Sequence, residues 1–561
     1  MRLRRTVLAC LFSILFCSQL VLAQSKPAAD LIVTNAKIWT VDKARPQAEA
    51  LAILGDRIIA VGAAAEVDLW HGPQTKVLDA KGKLLLPGFN DAHVHFVDGG
   101  EYLKAVQLKD AASAAEFASK IGDRVKTTPK GEWIISGNWD EQKWSPPDLP
   151  TKELIDALTP ETPVWVNRYD GHESLANSVT LRLAGITAKT PDPAGGQIVR
   201  DAQGNPTGVL RDAAQELVNK VMPPMSSAHR MRAIHQALEH AASLGVTSVQ
   251  NMNPTYDDVK AFAELQEKGA LTTRIYVAPM ETDWKDQAKV GVRRAFGTSM
   301  LRMGAVKGYA DGSLGSTTAY FFEPYTDAPQ TSGLLSGEMH PVSAMLQRLK
   351  SADVAGLQLC MHAIGDRAIS MTLDIFAQIE KANGKRDRRW RIEHSQHLAV
   401  KDFARYAQLG VVASVQPYHA IDDGRWAEKR IGPDRAKHTY AFRTFLDNGV
   451  HLAFGTDWPV APLSPMWSVY AAVTRATLDG KNPDGWIPEQ KLSVAEAVEA
   501  YTMGSAYAEF QEKEKGSITP GKLADFVVLS DDIFRIPHAA IKNVKIEATY
   551  LGGKLVYGGL E

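Results

Sequence analysis

Hydrophobic and polar positions divide the chain into three kinds of pattern. From Leu31 the pattern is strand-like and rich in turns, in LIVTNAKIWTVD, AEALAILGDRIIAVG and KVLDAKGKLLLPG. The far end repeats the style in ADFVVLS, IEATYLGG and KLVYGG. Alternating apolar residues bounded by Gly and Asn mark short strands. Chain ends commonly meet at a domain surface. Residues 24–85 and 511–561 are therefore expected to form one small β-sandwich. Between them, short apolar strands alternate with amphipathic helices, the rhythm of βα units and a parallel sheet. Eight strands are expected, at 84–96, 245–252, 274–280, 303–312, 357–366, 390–396, 410–417 and 450–459. The expected fold is α/β, a (β/α)8 TIM barrel over residues 86–510. Residues 98–230 are an insertion after its first strand. They contain a helix-like AASAAEFASKIGDRV, a strand-like EWIISGNW and a hairpin, QIVRDAQGNPTGVL.

The first 23 residues differ from the rest. Arg2, Arg4 and Arg5 precede an apolar run from Val7 to Leu22, and Val21-Leu22-Ala23 offers small residues at a cleavage point. This is the layout of a secretory signal peptide at 1–23. The run is short for a spanning helix of about 20 apolar residues, so no stable membrane association is expected after cleavage. Export, with the periplasm as destination, is the expectation. Cleavage would remove Cys10 and Cys17 and leave Cys360 alone, which excludes an internal disulfide.

Composition changes little in this picture. Hydrophobic residues make up 45% and charged residues 23% of 561, and the net charge is −1. Such neutrality gives no electrostatic case for a nucleic-acid partner and leaves a small-molecule substrate as the expected partner.

The candidate chemistry lies at strand ends. His93 and His95 end the first expected strand, Lys307 lies in the fourth, His362 in the fifth, His394 in the sixth and Asp457 in the eighth. In a barrel these ends gather at one face. Period-two alternation sends His93 and His95 to the same side of a strand. Neutral imidazoles with a carboxylate suit a divalent ion such as Zn. Singly, each residue also fits a blander role: half-buried histidines, a salt-bridged lysine near Asp311, an aspartate capping a turn. It is their order along eight strands that points to a metal site. His172, in the insertion, is the candidate for contacting substrate or a developing oxyanion, and tying the insertion to the barrel is its alternative. His419, just past the seventh strand, is a candidate cavity residue. Trp139 and Trp458 are candidate apolar walls of the substrate pocket, with core packing as the alternative.

These residues fall in recognisable segments: PGFNDAHVHF (87–96), NWDEQKW (138–144), DGHESLANSVTL (170–181), VKGYADGSLGS (306–316), MHAIGDRA (361–368), RIEHSQ (391–396) and FGTDWPV (454–460). Together they resemble the amidohydrolase superfamily, in its branch of YtcJ-like proteins and N-substituted formamide deformylases. The resemblance spans essentially the whole chain after the leader. It implies His93 and His95 as ligands from the first strand, and His362 and His394 as ligands of a second metal. It implies Lys307 as a carboxylated lysine bridging two Zn2+-type ions, and Asp457 as both ligand and proton carrier. The implied activity is hydrolysis of a non-peptide C–N bond by metal-activated hydroxide. An esterase or lactonase on the same site, or an exported metal-binding regulatory protein without catalysis, are the alternatives.

Overall fold

The computed structural model describes residues 27–294 and 296–560. The expected signal peptide, with Cys10 and Cys17, lies outside the described residues. Cys360 is buried as a free thiol. Among the described residues no helix is long and apolar enough to cross a membrane.

The central strands are β1 (Phe89–Val94), β2 (Val246–Met252), β3 (Arg274–Ala278), β4 (Leu301–Met303), β5 (Ala305–Tyr309), β6 (Gln358–Ala363), β7 (Arg391–His394), β8 (Val412–Val415) and β9 (Leu452–Phe454). They form two arcs. β1 to β4 are parallel neighbours, with Phe296–Gly297 antiparallel at the edge, and β5 to β9 are parallel neighbours in chain order. Isolated parallel bridges, Met280↔Lys307 and Val94↔Trp458, join the arcs at their margins. Nearly every residue of these strands is buried, as expected of parallel strands covered by helices.

Two expected strands are each divided in two. The first breaks at Gly88, so that Leu84–Pro87 pairs with Phe526–Leu529 and Lys37–Trp39, outside the arcs. The fourth breaks at Gly304, whose φ of +152° is open only to glycine and whose Cβ would sit 2.4 Å from the Arg293 carbonyl oxygen. The kink separates β4, which pairs with β3, from β5, which pairs with β6.

The chain ends build two sheets, one of four strands from residues 31–79 and one of six that takes strands from both ends. Val33, Leu51 and Ile58 share one apolar cluster with Leu85, Phe526 and Val528, so the two sheets have a common core. The insertion carries its own five-stranded sheet, from Ile134–Ile135 to Pro206–Asp212. Its core is closed by Phe117, Ile121, Trp139 and Trp144.

Candidate metal centre and cavity

The strand ends bring the expected residues together around Asp457. His93, near the end of β1, is fully buried. Its Nδ1 lies 2.7 Å from Glu393 Oε2, and its Nε2 lies 3.4 Å from Asp457 Oδ1. His95 follows the strand at the start of the helix Phe96–Tyr102, with Nε2 3.2 Å from the same oxygen. Lys307, on β5, places Nζ 3.4 Å from His93 Nε2. His394 ends β7, with its ring 4.9 Å from that of His93 and 4.5 Å from that of His362. Its Nδ1 is 3.0 Å from Gln416 Oε1 and 4.0 Å from Asp457 Oδ2.

Two triads emerge among the described residues. The ligand atoms of His93, His95 and Asp457 lie within 4.8 Å of one another, as do those of His394, His419 and Asp457. Asp457 is thus common to both. His419, expected only to line the cavity, stands beside His394 with its ring nearly parallel at 6.4 Å. His362 turns Nε2 to the Gly312 carbonyl oxygen at 3.1 Å, with Asp311 Oδ1 at 3.5 Å.

The backbone is strained where two of these side chains leave it. His394 and Asp457 have φ of 73° and 60°. Left-handed non-glycine residues cost about 1–3 kcal/mol and persist only where neighbours enforce them. At Asp457 the neighbours are β1 and its exit: Asp457 N–H donates to the His93 carbonyl at 2.7 Å, and His95 N–H to that of Trp458 at 2.8 Å.

Burial sets the charge states. It pulls His93 down to about 4, helped by Lys307, and holds His362 and His394 well below the ordinary imidazole value. These rings are neutral at physiological pH and keep a lone pair for a metal. Burial also lowers the Lys307 ammonium, against the pull of Glu393 and Asp457. For Asp457 burial works against the charge, but His93, His95 and His394 outweigh it and keep the carboxylate ionised. Asp457 Oδ1 and His419 Nε2 are buried without a hydrogen-bond partner. Orphaned acceptors are costly in a dry site. Neutral imidazoles around an ionised carboxylate with a free oxygen therefore fit a divalent cation.

A cavity of about 940 Å³ opens over this cluster, lined by His95, Lys307, His362, His394, His419 and Asp457. The insertion supplies a facing wall that includes Asn138, Tyr169 and His172. His172 Nδ1 is 2.7 Å from Asp212 Oδ1. Burial disfavours its charge, yet the hydrogen bond and charge of Asp212 raise it to about 8.

Two expected pocket residues are elsewhere. The Trp139 ring is fully buried in the insertion core, edge-on to Phe117, with Nε1–H donating to the Val166 carbonyl at 3.1 Å. An indole this large gains most by filling that core, and its neighbour Asn138 meets the cavity instead. Trp458 lies under the helix Phe96–Tyr102, stacked on His240 at 5.4 Å. The helix approaches so closely that a Cβ on Gly99 would come within 2.3 Å of the indole. Neither tryptophan lines the cavity.

Sequence reasoning missed Glu393 and Arg391. Both are fully buried on β7, two residues apart, and Arg391 Nη2 donates to Glu393 Oε2 at 3.0 Å and to the Ala92 carbonyl at 2.6 Å. Burial works against the Glu393 carboxylate, and Arg391 and His93 keep it ionised well below the usual range. Two opposite charges at alternate positions, on either side of Ile392, were the available signal, since charges in a buried strand need partners. Asp212 was missed as well. Its φ of 45° with ψ of −123° marks it as strained.

Comparison with known proteins supports this reading. The chain is 38% identical to Protein LONG AFTER FAR-RED 3 of Arabidopsis thaliana, over 94% of this chain and 92% of that one. It is 32% identical to the putative amidohydrolase YtcJ of Bacillus subtilis (87% and 92%) and 26% identical to the N-substituted formamide deformylase of Arthrobacter pascens (94% and 98%). The crystal structure of an uncharacterized metal-dependent hydrolase from Pyrococcus horikoshii matches with a TM-score of 0.74 at 27% identity, covering 91% of this chain and 99% of that one. The likeness implies a TIM-barrel fold, with its strands here in two bridged arcs, and supports metal-dependent hydrolysis. The model of the amidohydrolase family matches residues 76–557, and the chain belongs to that family.

Proposed function

We propose that this chain is an exported, zinc-dependent hydrolase of a non-peptide C–N bond in a small molecule: an amide, formamide, carbamate or cyclic amide. The observation that carries the reading is Asp457, an ionised carboxylate shared by two histidine pairs with one buried oxygen unpartnered. A bound Zn-type ion supplies a water acidified to a pKa of about 7 and polarises a carbonyl. His93, His95, His394 and His419 would hold it together with Asp457. His362 and Lys307 line the same cavity, where the family resemblance implies His362, with His394, for a second ion and Lys307 as a bridge between the two. Lys307 would carry CO2 as a carbamate there, which replaces a buried cation with an anionic oxygen donor.

The residues divide the remaining work. Glu393 holds His93 by its Nδ1, which leaves Nε2 for the metal. Asp457 Oδ1 takes a proton from the attacking water and returns it to the leaving nitrogen, so that amide and water become acid and amine. His172, with Nδ1 engaged by Asp212, keeps Nε2 for the substrate carbonyl oxygen. The shared core of the terminal sheets is the support for a β-sandwich there, and the 98–230 insertion forms one side of the substrate cavity.

The test is a panel of formamides, N-acyl amines, carbamates and lactones, offered to metal-loaded and to chelated protein. C–N cleavage by the loaded form alone is the expected result. Turnover of lactones only would replace the amidohydrolase reading with a lactonase, and equal turnover after chelation would remove the metal from the mechanism. Intact mass reads Lys307 directly, since a carbamate adds the mass of one CO2.

A further inference from the structure

The loop that carries Asp457 is held from two sides. On the strand side, Asp457 N–H bonds to His93, Thr456 N–H to Asp91 and Gly455 N–H to Val415, all within the arcs. Past Trp458, whose carbonyl accepts from His95 N–H, the following two carbonyls are treated differently. The Pro459 oxygen accepts from Asn138 Nδ2 at 2.8 Å, and the Val460 oxygen accepts from Lys109 Nζ at 2.6 Å. Both donors belong to the insertion. Among the described residues nothing else is hydrogen-bonded to either oxygen.

Lys109 is poorly suited to a casual surface contact. Burial lowers its ammonium, and Asp422 and Asp140 oppose that loss. Nζ lies 3.8 Å from Asp422 Oδ2 and 4.6 Å from the centre of the Tyr169 ring. Arg425 extends the link, since it pairs with Asp422 and reaches Asp140 Oδ2 in the insertion at 3.2 Å. A cation held this way makes a charge-assisted bond, roughly twice as strong as a neutral one. Asn138 is fixed too. Its φ is 55°, which Asn tolerates better than most residues, and its Oδ1 accepts from Asn167 Nδ2 at 2.7 Å. Residue 460 is tied back to the centre, because Val460 N–H donates to the Asp457 carbonyl at 2.8 Å.

We infer that Lys109 and Asn138 are positioning residues, through which the docked insertion holds the Asp457 loop in its strained, reactive conformation. The insertion is then part of the catalytic frame as well as a wall of the cavity. This rests on the reading of Asp457 as the proton carrier.

Lys109→Met keeps the length and apolar stem and removes the donor. In the full metal-loaded chain, kcat should fall roughly tenfold or more, since small misplacements of a catalytic group are that costly. KM for a small amide and metal content should be unchanged, while the melting temperature should fall by a few degrees, because Asp422 keeps Arg425 but loses one buried cation. Lys109→Arg, which keeps a donor, should recover much of the rate. Amide hydrogen exchange over residues 456–461 should quicken in Lys109→Met. Wild-type kcat together with wild-type exchange would overturn the inference, and so would a rate loss matched by an equal loss of metal. Should Lys109→Met fail to fold, Asn138→Asp carries the same test, because it keeps the backbone preference and loses the donor. If the wild-type protein turns over nothing on the panel, the functional reading fails, and exchange at 456–461 alone decides whether the insertion holds the loop.

Discussion

In the proposed reaction His172 and Asp457 stand on opposite sides of the chemistry, and their surroundings give them opposite charges. Asp457 is ionised because three imidazoles surround it. His172 is cationic below about pH 8 because Asp212 faces its Nδ1. If the imidazolium is the form that meets the carbonyl oxygen, activity must be present below that value and fall as pH rises through it. The kcat/KM profile should therefore carry an alkaline limb near pH 8. His172→Ala should lose that limb and about 100- to 1,000-fold in rate, the range for one oxyanion donor. An unchanged limb in the variant would assign it to another group. Asp457→Asn keeps the shape and removes the proton acceptor. Loss of about two to four orders of magnitude in kcat is expected from general acid–base catalysis, with substrate binding by competition retained.

Among the elements, β7 carries the most concentrated risk. In four residues, Arg391 to His394, it places a buried cation, a buried anion and a candidate ligand histidine. Arg391 bonds to groups on β1, β2, β7 and β8, through the Ala92 carbonyl, Gln250, Glu393 and Ser414. Removing one partner of a buried pair strands the other, at about 3–5 kcal/mol. Arg391→Met should lower stability by that amount in chemical unfolding of the metal-free protein. A value under about 1 kcal/mol, the range for exposed pairs, would show that water reaches the pair. The gathering of these side chains at the strand ends was legible because parallel pairing puts every such end on one face, whatever lies between. What β7 does for His93 was not, because a charged residue in a buried strand does not announce its partner. The same limit applies to Trp139 and Trp458. Whether an indole meets a cavity or a core depends on Phe117, His240 and Gly99, which only the fold brings near. Gly88 and Gly304 each divide one apolar run between two pairings, and hydrophobicity alone does not say which half belongs where.

At the scale of the molecule, the metal should be a structural ligand as well as a catalytic one. The triads draw on β1, β7, and the segments that follow β1, β8 and β9, so one ion would join both arcs at the Val94↔Trp458 margin, where their direct pairing is a single bridge. A ligand that binds only the folded chain adds RT ln(1 + [L]/Kd), about 2.7 kcal/mol at a hundredfold excess over Kd. In a chain this large such a gain moves the melting temperature by only a few degrees. Chelation should therefore lower the midpoint modestly while abolishing turnover, and added Zn2+ should restore both. The increment should vanish in His93→Ala, which removes a ligand, and persist in Lys109→Met, which removes none. If the Lys109 variant also lost the increment, the insertion would be needed to build the metal site itself. Equal melting of loaded and chelated wild type would mean that the arcs close without the ion, and that the strained backbone at Asp457 is held by protein contacts alone.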